Sequence, residues 1–231
     1  MRRTLTVTAL AAAACSAHAA DLFVLNFEAA GGYTTSIAEF TDGGSDYFFR
    51  TNGSGMAASN VYNGATGSFF AAHDIDGEGA TLPVSLTTST FSIANHDNLR
   101  FAVDLAEDDD GANQDWDLPD YVNFEYSIDG GSWQSIFSAI NDGSTFNSAA
   151  FINGVEITST FSTFSADLSA LTGSTLAVRI VFSLDAGDED IAIDNIRVTG
   201  DAINVVPLPP AAWAGMGLLA TMAGVRAARR R

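Results

Sequence analysis

Apolar residues recur at every second position in this chain, in stretch after stretch. Leu99, Phe101, Val103 and Leu105 alternate with Arg100, Ala102 and Asp104; Val122, Phe124, Tyr126 and Ile128 alternate with Asn123, Glu125 and Ser127. Leu176, Val178, Ile180, Phe182 and Leu184 repeat the pattern, and Phe23, Leu25 and Phe27 open it within Leu22–Glu28. A period of two puts one face of a strand in a core and the other in water, the signature of antiparallel sheet. Asp129-Gly130-Gly131 before Trp133 and Asn153-Gly154 before Val155 supply hairpin turns. Eight to ten such strands cannot form one open sheet without wetting its apolar face, so the pattern predicts a two-sheet sandwich. The Ser/Thr/Phe-rich stretch Thr160–Ser165 reads as a further strand because its aromatics favour order.

The most informative stretch of the body is Asp190-Ile191-Ala192-Ile193-Asp194-Asn195-Ile196-Arg197-Val198. Ile191 and Ile193 share one parity, Ile196 and Val198 the other. A phase flip inside one strand requires an extra residue, which predicts a bulge at Asp194-Asn195. An aspartate there, flanked by core isoleucines, needs a partner.

Partners of positive charge are scarce. The sequence has no lysine, and six of its ten arginines lie at the two ends, so Arg50, Arg100, Arg179 and Arg197 face 28 carboxylates between Asp21 and Asp201, a net of about −24. Such a surface repels nucleic acid and anionic lipid, and it invites divalent cations. Asp74-Ile75-Asp76-Gly77-Glu78-Gly79 places carboxylates at alternate positions with glycines for a tight turn, as oxygen-rich calcium loops do. Glu107-Asp108-Asp109-Asp110-Gly111, followed by Asp115, Asp117 and Asp120, is the densest acidic run; Asp185, Asp188, Glu189 and Asp190 precede the closing strand. From these groups Asp74, Asp76, Asp108 and Asp190 are expected calcium ligands.

The ends carry addresses. Met1-Arg2-Arg3, the apolar run Leu5–Ala14 and Ala17-His18-Ala19 read as a signal peptide cut after Ala19 or Ala20. Cys15 after three alanines leaves a lipoprotein reading open, although the usual Leu three residues earlier is missing. It is the only cysteine, so the exported body has no disulfide and is held by its core and by metal. This sets the boundaries at 1–20 for the signal, 21–202 for one sandwich domain and 203–231 for the tail. The tail has a proline elbow at Pro207, Pro209 and Pro210, about 18 uncharged residues from Leu208 to Val225 and a terminal arginine cluster, a short membrane helix in outline.

Val206-Pro207-Leu208-Pro209, the apolar segment and Arg229-Arg230-Arg231 resemble the PEP-CTERM class of bacterial sorting tails in its VPLPA variant, with Pro210 where the variant usually has Ala. The resemblance implies an exosortase-type processing enzyme as partner, with the chain held in the inner membrane through its C-terminal helix and then passed to the cell surface or extracellular matrix. The opening Phe27-Glu28 and closing Ile193-Asp194-Asn195-Ile196 are similar to the ends of calcium-binding jelly-roll sandwiches, MAM domains and carbohydrate-binding modules among them. That resemblance implies an all-β, antiparallel two-sheet jelly roll, and it adds Glu28 and Asp194 as ligands of a structural calcium.

No catalytic constellation stands out. His73 and His96 are the body's histidines, and no nucleophile elbow accompanies them; His73 beside Asp74 reads as a strand-end pair, a loop histidine rather than a base. Tyr33, Tyr62, Trp116 and Trp133 stand at loop-like positions where a ring can stack on sugar. The expected function is therefore non-enzymatic: an exported, calcium-stabilised adhesion, matrix or glycan-binding sandwich that meets extracellular polysaccharide. The alternative is a secreted polysaccharide hydrolase using a carboxylate pair.

Overall fold

The computed structural model describes residues 19–57, 60–108, 116–118, 120–143, 148–187 and 189–203. Residues 1–18 of the expected signal peptide and 204–231 of the expected tail, including Val206, Pro207, Leu208 and Pro209, lie outside them, while Ala20 opens the first strand. Among the described residues no helix is long and apolar enough to cross a membrane.

The body is an all-β, antiparallel jelly-roll sandwich, with fifteen strands among the described residues. The first sheet contains β1 (Ala20–Leu25), β3 (Phe40–Thr41), β4 (Tyr47–Thr51), β5 (Phe69–His73), β8 (His96–Ala106), β13 (Ser162–Asp167) and β15 (Asp190–Ala202). Its order is β13-β8-β15-β5-β4-β3, with β1 also on β15. The second contains β2 (Tyr33–Thr35), β6 (Val84–Thr88), β7 (Phe91–Ser92), β9 (Tyr121–Ile128), β10 (Gln134–Ile140), β11 (Phe151–Ile152), β12 (Val155–Glu156) and β14 (Thr175–Ser183). Here the order is β12-β11-β10-β9-β14-β6-β2, with β7 on β14. The count exceeds the expected eight to ten because several strands are only two or three residues long, too short to show a period.

The alternating residues form the core as expected. Leu99, Phe101, Val103 and Leu105 of the first sheet and Val122, Phe124, Leu176, Val178, Ile180 and Phe182 of the second are fully buried. Rings interlock between the sheets: Phe48 meets Phe182 edge-on with centroids 5.3 Å apart, and Phe101 packs on Phe137 at 5.6 Å. Each buried ring contributes about 1.5–3 kcal/mol of apolar transfer. Both predicted hairpins form. Asp129 and Gly130 take φ of 51° and 70°, Asn153 and Gly154 take 51° and 80°, the left-handed pair that a two-residue turn between right-twisted strands requires.

The predicted bulge is present. β15 pairs β8 as Ile193 with Leu105 and Asp194 with Asp104, but then as Arg197 with Ala102, so β15 carries one extra residue between Asp194 and Arg197. Asn195 accommodates it at φ 50°. On its other edge β15 changes partner at the same point: Ile193 pairs Phe70 of β5, and Ile196 pairs Leu25 of β1. A strand shared in this way needs the bulge to turn both isoleucine pairs inward.

Three expectations are corrected. The opening strand ends at Leu25, and Phe27 turns to φ 55°, so Glu28 stands beyond the strand rather than in it. His73 ends β5, at a strand end as expected of the His73-Asp74 pair, but it is buried rather than in a loop, and its ring stacks on Tyr47. The first sheet is covered on its outer face too: Tyr47, Tyr62, Phe69, Ala71, Ala106 and Ala192 make a second small core with Met56 and Ala65. Small alanines on three central strands leave room for that layer.

Candidate metal centre

Chain topology gathers the acidic loops. Tyr47 pairs His73, His73 pairs Asp190, Ser183 pairs Tyr121 and Ala192 pairs Ala106. The connections β3–β4, β5–β6, β8–β9 and β14–β15 therefore all turn at one end of the sandwich. Acidic runs that are far apart in sequence share that end, and Asp185 senses both Asp76 and Asp117, which with burial raise its pKa.

The most buried group there is Asp117, Asp120 and Glu189, each offering one carboxylate oxygen within 4.8 Å of the others. Two oxygens bound to calcium at 2.3–2.6 Å are at most about 5 Å apart, so the spacing fits one ion. Asp120 is 4 % exposed and Glu189 1 %. Asp120 Oδ2 accepts the Asp117 amide at 2.7 Å, while its buried Oδ1 has no N–H or O–H donor among the described residues. Glu189 Oε2 accepts the amides of Asp185 at 2.7 Å and Ala186 at 3.2 Å. Burial first, then the neighbouring Asp120 carboxylate, pushes the Glu189 carboxyl well above its ordinary range, and burial raises Asp120 as well. Two buried carboxylates this close cannot both stay ionised unaided. They must share a proton or hold a cation.

A second group, Asp42, Asp46 and Glu78, has the same spacing but is largely exposed. Gly77 lies against the Asp46 carboxylate, which would have to move to admit a Cβ there. Asp74 and Asp76 form the turn itself, with Gly77 N on Asp74 O and Gly79 N on Asp76 O. Burial and then Asp46 raise Asp74 to about 6. Asp74 thus meets Asp46 side chain to side chain, while Glu78 joins Asp42 and Asp46 within 4.8 Å.

Asp108 and Asp190 meet, but through backbone: the Asp108 amide donates to Asp190 Oδ1 at 2.9 Å, and the Tyr62 hydroxyl donates to the same oxygen at 2.8 Å. Tyr62 also contacts the Tyr47 hydroxyl at 3.1 Å. Asp190 thus ties the second small core to the loop after β8.

At the bulge Asp194 faces Asp104 across the strands, and Glu28 is near enough to act on Asp194 electrostatically. Asp194 is 7 % exposed, and burial, then Asp104 and Glu28, raise it to about 6 against the pull of the Asn195 amide. Glu28 Oε1 accepts the Ser68 amide at 3.1 Å and lies against Gly67, whose φ of 93° favours glycine. The resemblance in sequence pointed to two of these three carboxylates; Asp104 was hidden as an ordinary polar position of β8. Asp117, Asp120 and Glu189 were visible only as members of acidic runs, and their places immediately before β9 and β15 were the available signal.

Among the described residues two of these groups, Asp42 with Asp46 and Glu78, and Asp117 with Asp120 and Glu189, have the spacing to hold a metal ion. No family model and no curated protein matches the sequence. Solved structures are similar in chain path. The K3 cleaved adhesin domain of Lys-gingipain from Porphyromonas gingivalis w83 is 17 % identical with a TM-score of 0.47, covering 78 % of this chain and 99 % of that one. The Stig cyclase Fisc from Fischerella sp. TAU is 14 % identical at 0.46, covering 81 % and 100 %. The CBM22-1 xylan-binding domain of Paenibacillus barcinonensis Xyn10C is 12 % identical at 0.41, covering 81 % and 99 %.

Proposed function

We propose that this chain is an exported, non-enzymatic β-sandwich, stabilised by calcium and handed by its tail to the cell surface or extracellular matrix, where it serves adhesion or matrix structure. The observation that carries the calcium part is the meeting of Asp117, Asp120 and Glu189 at the acidic end. Among the described residues no arginine is a neighbour that sets the ionisation of Asp120 or Glu189, so a cation is the charge partner that suits the site. Calcium would stiffen the β8–β9 and β14–β15 connections, which otherwise repel each other. Export and sorting rest on the two ends of the sequence, with an exosortase-type enzyme acting at Val206-Pro207-Leu208-Pro209.

The test is thermal unfolding of the full chain in chelator and in calcium at constant ionic strength, with magnesium as control. A site filled at a hundred times its Kd contributes about 2.7 kcal/mol to the folded state. Glu189→Gln should remove the increment from the acidic end, and Asp194→Asn should report separately on the bulge. A melting temperature indifferent to calcium and chelator would eliminate the metal.

A further inference from the structure

The other end of the second sheet has a different chemistry. Asp129 Oδ1 accepts the amides of Ser174 at 3.0 Å and Thr175 at 2.8 Å and the Thr175 hydroxyl at 3.2 Å, which clamps the β9–β10 turn to the start of β14. Ser127 Oγ donates to Gly131 O at 2.8 Å and ties the same turn from inside. The turn so fixed delivers Trp133 over the outward face of β14, where the Arg179 guanidinium lies 4.5 Å from the indole centroid. Arg179 is itself held by its cross-strand partner Glu125, with Nε 2.7 Å from Oε2. Beside the ring is a cleft of about 210 Å³, lined also by Thr87, Thr88, Thr90, Ser127 and Ala177.

We propose that this cleft binds one ring of a neutral glycan. The proposal rests on the reading of the chain as a surface or matrix module and gives that module a ligand. A pyranose ring has an apolar C–H face and a rim of hydroxyls. The indole face away from Arg179 offers a flat apolar surface, while the Thr87 and Thr90 hydroxyls donate or accept at the rim. A small cleft with one aromatic wall and few polar groups is the form that fixes a single ring in one orientation. Arg179 is neutralised by Glu125, so the site has no free positive charge for a uronate, and the body's net of about −24 repels one from a distance. Of the four aromatics at loop-like positions, Tyr62 and Trp116 are buried, and Tyr33 packs edge-on against Phe27 and Phe70 with its hydroxyl given to Glu39. Trp133 is the one that borders a cleft of polar rim. The turn clamps mean that no backbone ordering is left to oppose binding.

The experiment is calorimetric titration of the full chain, in calcium, with cellohexaose, mannohexaose and xylohexaose, and with polygalacturonate as the anionic probe. At least one neutral probe should bind with Kd below about 1 mM, a free energy of about −4.1 kcal/mol. Trp133→Ala and Ala177→Phe, the second filling the cleft while retaining Trp133, should each weaken it about tenfold or more, with unchanged circular dichroism. Absence of binding by all three neutral probes, preference for polygalacturonate, or wild-type affinity in either variant would overturn the proposal. Any of these with calcium stabilisation intact removes the glycan site and leaves the calcium-stabilised module standing.

Discussion

Asp194 and Asp104 sit directly opposite each other on β15 and β8, and one amide serves both: Asn195 Nδ2 lies 2.8 Å from Asp104 Oδ2 and 3.4 Å from Asp194 Oδ2. Like charges at facing positions of paired strands destabilise a sheet. The extra residue of the bulge is what places an amide donor between them.

Asn195→Ala should therefore cost about 1–3 kcal/mol, because two acceptors lose a donor at a partly buried site. The substitution also leaves a Cβ residue at positive φ. Asp194→Asn should have the opposite sign in chelator. The native Asp194 carboxyl is raised to about 6, so its contribution is full below the unfolded value and is lost as pH rises through about 6; removing the charge abolishes that loss. Denaturant midpoints at pH 5 and 8 separate the cases, and an Asp194→Asn midpoint below wild type at pH 8 in chelator would contradict the repulsion.

His73 has the reverse pH dependence. Burial holds its pKa below the ordinary value of about 6.5, against the raising influence of the Ser45 carbonyl, Asp46 and Asp42. The unfolded chain takes up a proton that the fold resists, so stability present above about pH 6.5 is lost as pH falls below it. In chelator, the stability difference between wild type and His73→Gln should shrink from pH 7 to pH 5. An NMR titration of His73 with a midpoint above 6.5 would show that the proton is welcome in the fold.

Phe182 links the sheets through Phe48 and Phe70. Phe182→Ala should cost about 3–5 kcal/mol through lost transfer and the cavity left behind. Ile140→Thr, at a half-exposed position on β10, should stay within about 0.5 kcal/mol. Comparable losses at both sites, measured by urea unfolding, would place the core elsewhere.

Co-expression with an exosortase-type enzyme should release a chain ending near Val206, and Pro207→Ala with Pro209→Ala should block processing while leaving export intact. Mass spectrometry of the mature protein is the measurement; an intact Arg231 terminus on every molecule would make the tail a plain anchor.

The sequence alone determined the longer alternating strands, both hairpins and the bulge, because each is written in neighbouring residues. Period two sets which side chains share a face, Asp-Gly and Asn-Gly supply the positive φ of a tight turn, and a parity flip demands an extra residue. Tertiary structure decided which carboxylates keep company. Asp120 meets Glu189 because two connections cross between sheets at the same end, and Asp104 meets Asp194 because β8 lies beside β15; neither adjacency leaves a local pattern. It also decided which aromatics face solvent. Tyr62 and Trp116 stand in stretches that read as loops, yet Tyr62 is buried in the second small core and Trp116 in the main one, since burial is fixed by what packs over a residue and not by its neighbours in the chain.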